Sequence, residues 1–418
     1  MAIWQIRQAG FKMFTTRFRH ADGFGDGPTE SGGRPTLQGN GTFLRVNGLD
    51  SQSCVACHDV VSTDAVPVIT GVGGSAGIGN SAMFMTRAID VADFSGNGFA
   101  AFDGRLINPL ALFGAGGVQL VAKEMTQRLQ ELKQRALAKP GIPVRLRVKG
   151  VDFGRIVADA QGNVDTAEVE GVDADLVVRP FGRKGEFATV RQFDVGALMF
   201  HLGMQPVELV GEGVDADGDG VANEVTVGEL SALEVFVTTQ ERPVQRPMDR
   251  AARAGARRFR HLGCAGCHTP GMATRSRYLS YSYPEVDTDP SRNVFLRVDL
   301  SQLPSGFQTT TGGGIRVPMF SDLKRHDMGP ELAEDFFAAT PQQNREFITA
   351  KLWGVADSAP YLHDGRALTL NEAILLHGGE AQAARDTYMA LSVAGRNELI
   401  AFLSTLRNPR SPNADVLD

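Results

Sequence analysis

Apolar positions along the chain keep a helical spacing in some stretches and alternate in another. Val118, Val121, Met125, Leu129 and Leu132 recur at three- and four-residue steps, which predicts a helix over 118–136. A further helix is expected over 189–203. Leu399, Phe402, Leu403 and Leu406 give the closing run ELIAFLSTL one apolar face. Between 142 and 180 the pattern shifts to short alternating runs, VRLRV and DLVVRPF, broken by QGN, which reads as a small β-rich insert. Pro243 and Pro247 mark a linker, and Asp249 is placed to cap the helix that follows. GVGGSAGIGN reads as a flexible stretch, and no run of 18 or more apolar residues is present to cross a bilayer.

A weak internal repeat lies over this pattern. Ala9-Gly10-x-x-x-Phe14 matches Ala254-Gly255-x-x-x-Phe259, and each copy precedes a C-x-x-C-H string. The second Phe stands five residues before Cys264, whereas 40 residues separate Phe14 from Cys54, much of them the Gly-rich GFGDGPTESGGRPTLQGNG. A short helix that uses Gly for close packing and an aromatic to cover a haem edge is the logic of a cytochrome c domain.

The two strings, CVACH at 54–58 and CAGCH at 264–268, use all four cysteines of the 418 residues. Such a string attaches haem: each thiol adds to a vinyl group, and the adjoining His turns onto the iron. A zinc site or a thiol redox pair is the competing reading of C-x-x-C. A His directly after the second Cys favours haem. Two covalent haem c groups are therefore expected, on Cys54, Cys57 and His58 and on Cys264, Cys267 and His268.

Composition changes the picture little. The net charge of −6 gives no basic footprint for nucleic acid. With 48 Gly, 20 Pro and 7% aromatic residues, the chain suits a loop-rich body wrapped around cofactors. The start, MAIWQIRQAGFKMF, lacks a basic stretch followed by a continuous apolar one. Covalent haem is attached outside the bacterial inner membrane, so a periplasmic or secreted location is expected, with an export signal removed. Asp215, Asp217 and Asp219 alternate ahead of Gly220, with the Val221 carbonyl and Glu224 beyond, an arrangement that suits Ca²⁺. Thr226 stands where an EF-hand has its bidentate Glu, and a plain acidic turn is the alternative.

The string LWGVADSAPYLHDGRALTLNEAILLHGGEA over 352–381 is the most specific after the haem motifs. Together with VNGLDSQSC, LFGAGGVQLVAKEMT, GVDADLVVRPF and DLKRHDMG, it resembles the bacterial di-haem cytochrome c peroxidase superfamily. The closest likeness is to its di-haem oxidoreductase branch, related to rubber-cleaving oxygenases. The resemblance implies a mainly α fold: cytochrome c-type domains at 1–140 and 246–418, and a β-rich, calcium-binding insert at 141–245.

It also implies a division of labour. The second haem transfers electrons, and its distal ligand falls 14 residues after His363, at His377. Relatives often carry Met there, and an imidazole would lower the potential. A surface His in a polar HGGE turn is the competing reading. For His363, hydrogen bonding to a propionate or the backbone is favoured over ligation; His326 shares that ambiguity, and Met328 is a reserve axial candidate. The first haem is then the reactive one, with its distal segment at LFGAGGVQLVAKEM. Gln119 occupies the slot where relatives tend to carry Glu, and a carboxamide orients a ligand but does not shuttle a proton. Glu124 replaces that acid only if the local structure is irregular. Phe113 and His201 are further distal candidates, each with a core role as its alternative. Apolar packing is the better reading for Met83 and Met85, and Trp353 stands as either an electron relay or core.

The implied activity is reduction of hydrogen peroxide at the first haem, with electrons from a small redox carrier of cytochrome c or cupredoxin type. Alternatives are a dioxygenase that holds O₂ against an apolar substrate, and a non-catalytic electron-transfer or assembly cytochrome. No nucleic acid or membrane span is expected, and a homodimer is left open.

Overall fold

The computed structural model describes residues 2–25, 37–38, 43–44, 52–56, 58, 60, 73–74, 78–79, 85–90, 101–105, 109, 111–334 and 341–417. Its main helices are α1 (Ile3–Thr15), α2 (Ala115–Leu137), α3 (Val190–Ala197), α4 (Val227–Thr238), α5 (Arg250–His261), α6 (Leu370–Leu375) and α7 (Val393–Leu403). Helix makes up 39% and strand 15%, so the chain is mixed rather than mainly α. The difference lies in the connections: β4 (Tyr278–Ser282) pairs β5 (Val294–Asp299) and β6 (Arg325–Asp327) pairs β7 (Glu346–Ile348), all antiparallel, within what the sequence leaves as loop. The three-stranded sheet lies earlier, in the expected insert.

The A-G-x-x-x-F repeat is built twice as the same contact. α1 crosses α4, and α5 crosses α7. A Cβ added to Gly10 would lie 2.0 Å from the Ala232 carbonyl oxygen, and one added to Gly255 would lie 1.9 Å from that of Glu398. Only glycine permits backbones this close. One turn on, Phe14 meets Phe236 with ring centroids 5.5 Å apart, and Phe259 meets Phe402 at 5.4 Å. Each aromatic pair contributes about 0.5–1.5 kcal/mol beyond its burial. The helix completing the first crossing thus comes from within 141–245.

The long helix α2 buries all five of its expected positions, Val118, Val121, Met125, Leu129 and Leu132. They rest on β1 (Val144–Val148) and β2 (Val151–Ala158), where Val144, Leu146 and Val148 point inward and Arg145 and Arg147 outward. β3 (Val164–Asp165) adds the third antiparallel strand. The alternating run DLVVRPF forms no strand. Its backbone groups bond to α2 side chains instead: Gln130 donates to the Asp175 and Leu176 carbonyls, and the Val178 N–H donates to Thr126 Oγ1 at 2.9 Å. The helix expected over 189–203 splits into α3 and a π-turn, Leu198–Leu202. Thr189 caps α3, and Asp249 accepts the Ala252 N–H at 2.8 Å to cap α5.

Three apolar cores result. One lies between α2 and the β-strands. A second gathers Phe14, Val190, Leu198, Leu230, Leu233 and Phe236 around Cys54. The third gathers Phe259, Phe320, Leu399 and Phe402 around Cys264. The chain end is tied to the first unit: buried Arg7 donates to Thr239, Asn413 and Asp415, and Asn413 Nδ2 donates to the Val60 carbonyl at 2.6 Å.

Gly255→Ala is expected to destabilise the protein by about 1–3 kcal/mol or more through overpacking at α7. Thermal unfolding of the haem-loaded protein reads this out; an unchanged melting temperature contradicts the crossing geometry.

Candidate functional site

α5 delivers the chain to a short turn, Cys264–Gly266, and the His268 N–H closes back on the Cys264 carbonyl at 2.9 Å. His268 Nδ1 donates to the Phe320 carbonyl at 3.2 Å. His377 follows α6, and its Nδ1 donates to the Ala373 carbonyl one turn back at 2.7 Å. The two rings lie with centroids 6.4 Å apart and their planes tilted by 53°. Metal–imidazole bonds of about 2 Å put the centroids of two rings on opposite sides of one ion about 6 Å apart, so this spacing fits a single iron. With each Nδ1 on a carbonyl, Nε2 is the nitrogen each ring would offer to a metal, and the Ala350 backbone is a further neighbour of the His268 ring. Burial, reinforced by the neighbouring His377, pushes His268 down to about 4, and burial lowers His377 too. Neutral imidazole is the ligating form.

The other candidates near this pair have different partners. His326 gives Nε2 to Asp322 at 2.8 Å and Nδ1 to Glu380 at 2.7 Å, so neither nitrogen is left for iron. Burial pulls its pKa down, but the hydrogen bonds to Asp322 and Cys267 prevail and raise it to about 11. Met328 runs by its backbone alongside Gly378, next to His377. His363 stacks on Phe347 at 4.6 Å, 3.8 Å from both Glu334 and Asp364, and is not part of the His268–His377 pair. Trp353 is buried, 6.3 Å from Phe307, and its ring covers Gly114 at the start of α2. It thereby links the C-terminal segment to the residue beside buried Phe113.

At the first motif, Cys54 opens a short turn, Cys54–Ala56, and the His58 N–H donates to the Cys54 carbonyl at 3.0 Å. Cys57 lies outside the described residues, as does Met83; Met85 opens a strand, Met85–Asp90. His201 lies on the π-turn with Phe200 edge-on at 4.7 Å.

Gln119 is fully buried and engaged at both ends of its carboxamide. Oε1 accepts the Val190 N–H at 2.8 Å, and Nε2 donates to Glu234 Oε1 at 3.3 Å. Glu124 turns elsewhere, as a five-residue offset on a helix requires. It accepts Lys149 Nζ at 2.7 Å and the N–H groups of Arg275 and Ser276, a clamp between α2 and two loops. The structure does not bring Glu124 to Gln119.

Behind Gln119 lies a group of buried charges. Glu234 meets Arg191 at 3.4 Å, and Arg191 also pairs with Glu208. Lys123 reaches Glu285 at 3.1 Å. Asp194 is buried with Oδ2 lacking any hydrogen-bond partner among the described residues. Burial lifts Glu234 to about 7, with Glu285 adding to it and Lys123 and Arg191 opposing. Burial and the charge of Glu234 raise Asp194 well above the carboxylate range. The haem motifs do not point to either acid. The one sequence signal is a lone acid in the apolar run LSALEVFV.

Asp215, Asp217 and Asp219 converge, with carboxylate oxygens within 4.8 Å of one another. Asp215 accepts the N–H groups of Gly218, Asp219 and Gly220, and the Val221 N–H goes to Asp219 Oδ1 at 2.7 Å. Glu224 instead accepts the Gln205 N–H at 2.7 Å and lies over Gly23; burial raises its pKa to about 8.

Two imidazoles this close, in an apolar core beside a C-x-x-C-H turn, are a donor set that fits a haem iron. Residues 310–406 match the model of the family described as "Di-haem oxidoreductase, putative peroxidase". The likeness to the di-haem oxidoreductases thus lies in that segment, which contains the string over 352–381 that leads one to expect it. No curated protein matches the chain. Among solved structures, hydrazine synthase of Kuenenia stuttgartiensis pressurised with xenon is 14% identical, covering 97% of this chain and 93% of that one, with a TM-score of 0.37. A MauG-like protein associated with microbial copper homeostasis is 15% identical, covering 69% and 88%, with a TM-score of 0.31. These likenesses are too loose to transfer a fold or a function. Among the described residues no helix is long and apolar enough to cross a membrane.

Folded Glu234 keeps its proton to about 7, against an ordinary 4.5 in the unfolded chain. The unfolded chain therefore loses its proton first, and stability falls as pH rises across that window. Glu234→Gln is expected to reduce the fall, read as the denaturant midpoint against pH; an identical profile contradicts the burial of that charge.

Proposed function

We propose that the chain is a periplasmic or secreted di-haem c-type cytochrome that reduces hydrogen peroxide. The haem on Cys54, Cys57 and His58 is the reactive one. Electrons reach it through the haem on Cys264, Cys267 and His268, with His377 as the sixth ligand. In this reading residues 246–418 form the electron-receiving domain. Residues 1–140, completed by α4 from the 141–245 segment, form the reactive one.

The observation that carries the proposal is the approach of the His268 and His377 rings to 6.4 Å with both Nδ1 atoms already bonded. His268 and His377, so fixed, would hold the iron of a bound haem from two sides and leave no place for peroxide, which suits electron transfer. The bound haem supplies an iron reduced and reoxidised by single electrons. The protein's part is to fix the His268 and His377 rings and to exclude water through Phe259, Phe320 and Phe402; Phe113, Gln119 and His201 are the residues we assign to the first site. Trp353, between the C-terminal segment and Gly114, is the packed contact through which the two halves couple. A small cytochrome c or cupredoxin is the donor that fits this chemistry. The family relationship supports an oxidoreductase, and peroxide is the substrate we assign.

We also assign Ca²⁺ to the Asp215, Asp217 and Asp219 loop, with the Val221 carbonyl, as a structural ion that fixes the approach to α4. Glu224, held by Gln205, joins it only by turning.

His377→Ala in the haem-loaded protein is expected to cut donor-driven peroxide turnover by about tenfold or more, while adding a high-spin component to the optical spectrum. Wild-type protein that does not turn over peroxide with a reduced cytochrome c or cupredoxin overturns the peroxidase assignment. For the ion, a chelator is expected to lower the melting temperature, and no change contradicts Ca²⁺ at the Asp loop.

A further inference from the structure

We propose that Glu234 and Asp194 form the proton-uptake site of the first haem pocket, taking up a proton as that haem is reduced, with Gln119 holding Glu234 in position. The inference rests on the reading of the first haem as the reactive one.

Helix geometry places both acids beside the apolar core that packs Cys54. On α3, Val190, Asp194 and Leu198 stand four residues apart and so share a face. On α4, Leu230 and Glu234, and Leu233 and Val237, are four residues apart, and the four side chains fall within one face. Val190, Leu198, Leu230, Leu233 and Val237 belong to the apolar core that packs Cys54. Two carboxylates thus project from helix faces whose apolar residues pack Cys54, where burying a charge is costly. Neither acid is balanced by a cation of its own. Arg191 is shared with Glu208, which takes its Nε at 3.0 Å, while Glu234 gets only the longer 3.4 Å contact. Lys123 is drawn off to the Ser280 carbonyl and Glu285. Asp194 Oδ2 has no partner among the described residues.

The groups facing Glu234 are Gln119 and Lys123 of α2, Arg191 and Asp194 of α3, and Glu285 after β4; Tyr281 of β4 also lies within its field. With Glu208, which shares Arg191, four acids stand against two cations; Asp194, raised well above its ordinary value, keeps one proton, and the cluster remains short of one positive charge. One proton fills the gap, and burial brings the Glu234 pKa to about 7, where that proton exchanges.

Gln119 explains how the acid is held. Its Oε1 is committed to the Val190 N–H, so its amide N–H is presented to Glu234 and fixes Oε1 of that carboxyl. A carboxamide relays no proton, so Gln119 is a positioning residue and the acid stands one hydrogen bond behind it. In balance, one electron arrives at the first haem from the second, one proton from solvent forms an O–H bond on the carboxylate pair, and the local charge is unchanged. Reduction of peroxide would break the O–O bond with two electrons, one held at each haem, and two protons, one from the carboxyl O–H that breaks and one from solvent, and would release two waters.

The test is spectroelectrochemistry of the haem-loaded protein from pH 6 to 8, following each haem separately. The wild-type first haem is expected to lose potential with rising pH, toward about 59 mV per unit for one proton per electron. Glu234→Gln should flatten that slope and Asp194→Asn should reduce it, while the second haem of the same molecules keeps its own slope. An unchanged first-haem slope in both variants, or an equal change at both haems, overturns the inference. Redox-difference infrared spectroscopy of unmodified protein needs no variant: a protonated-carboxyl band sensitive to D₂O must grow on reduction of the first haem, and its absence overturns the inference. A slope lost in Glu234→Gln in a protein that does not reduce peroxide overturns the peroxidase assignment alone. Turnover with slopes intact in both variants overturns this inference alone.

Discussion

The close approach of two helix backbones at a single glycine is the constraint on which each half of the molecule depends. At Gly10 against Ala232 and at Gly255 against Glu398 there is no room for a Cβ. The aromatic that follows one turn later is therefore driven onto the partner helix, Phe14 onto Phe236 and Phe259 onto Phe402. Each crossing leads the chain into its C-x-x-C-H turn with an apolar wall already built. In the second half the wall carries straight on to the motif, because Phe259 stands five residues before Cys264. In the first half the motif arrives after a long insertion and is secured from elsewhere: Asn413 from the chain end bonds the Val60 carbonyl, and Arg7 fastens that end to α1.

The two sites differ in how their polar atoms are spent. Around His268 and His377 the accounting is closed. Each ring has a carbonyl on Nδ1, and the nearby His326 is saturated by Asp322 and Glu380. A site so fixed suits an iron that changes electrons and nothing else. In the core that packs Cys54 it is open: among the described residues Asp194 Oδ2 has no partner, Glu234 shares its cation, and Gln119 touches both the α3 backbone and the acid. Imbalance of this kind in an apolar wall is where proton and electron movement can couple.

Some of this was legible in the residues. The A-G-x-x-x-F repeat, the apolar face of α2 and the Asp249 cap are local features, and each forms as its spacing implies. The 14-residue step from His363 to His377 comes from family resemblance, and in the structure the two rings brought together are His268 and His377. DLVVRPF misleads because alternation is a local signal, while its hydrogen bonds go to α2 side chains far away in the chain. The paired strands after residue 278 carry little periodicity and form through long-range pairing. Gln119 reads as a lost acid when seen alone. Glu234 stands 115 residues away, and only folding puts it against the carboxamide.

The central claim is that the two haem sites are unequal, the second closed by His268 and His377 and the first open. Electron paramagnetic resonance combined with near-infrared magnetic circular dichroism of the fully oxidised, haem-loaded protein tests it most directly. The account requires one low-spin haem with bis-imidazole ligation, lost in His377→Ala, beside a high-spin haem. Two bis-ligated low-spin haems, or a His377→Ala spectrum identical to wild type, would contradict it.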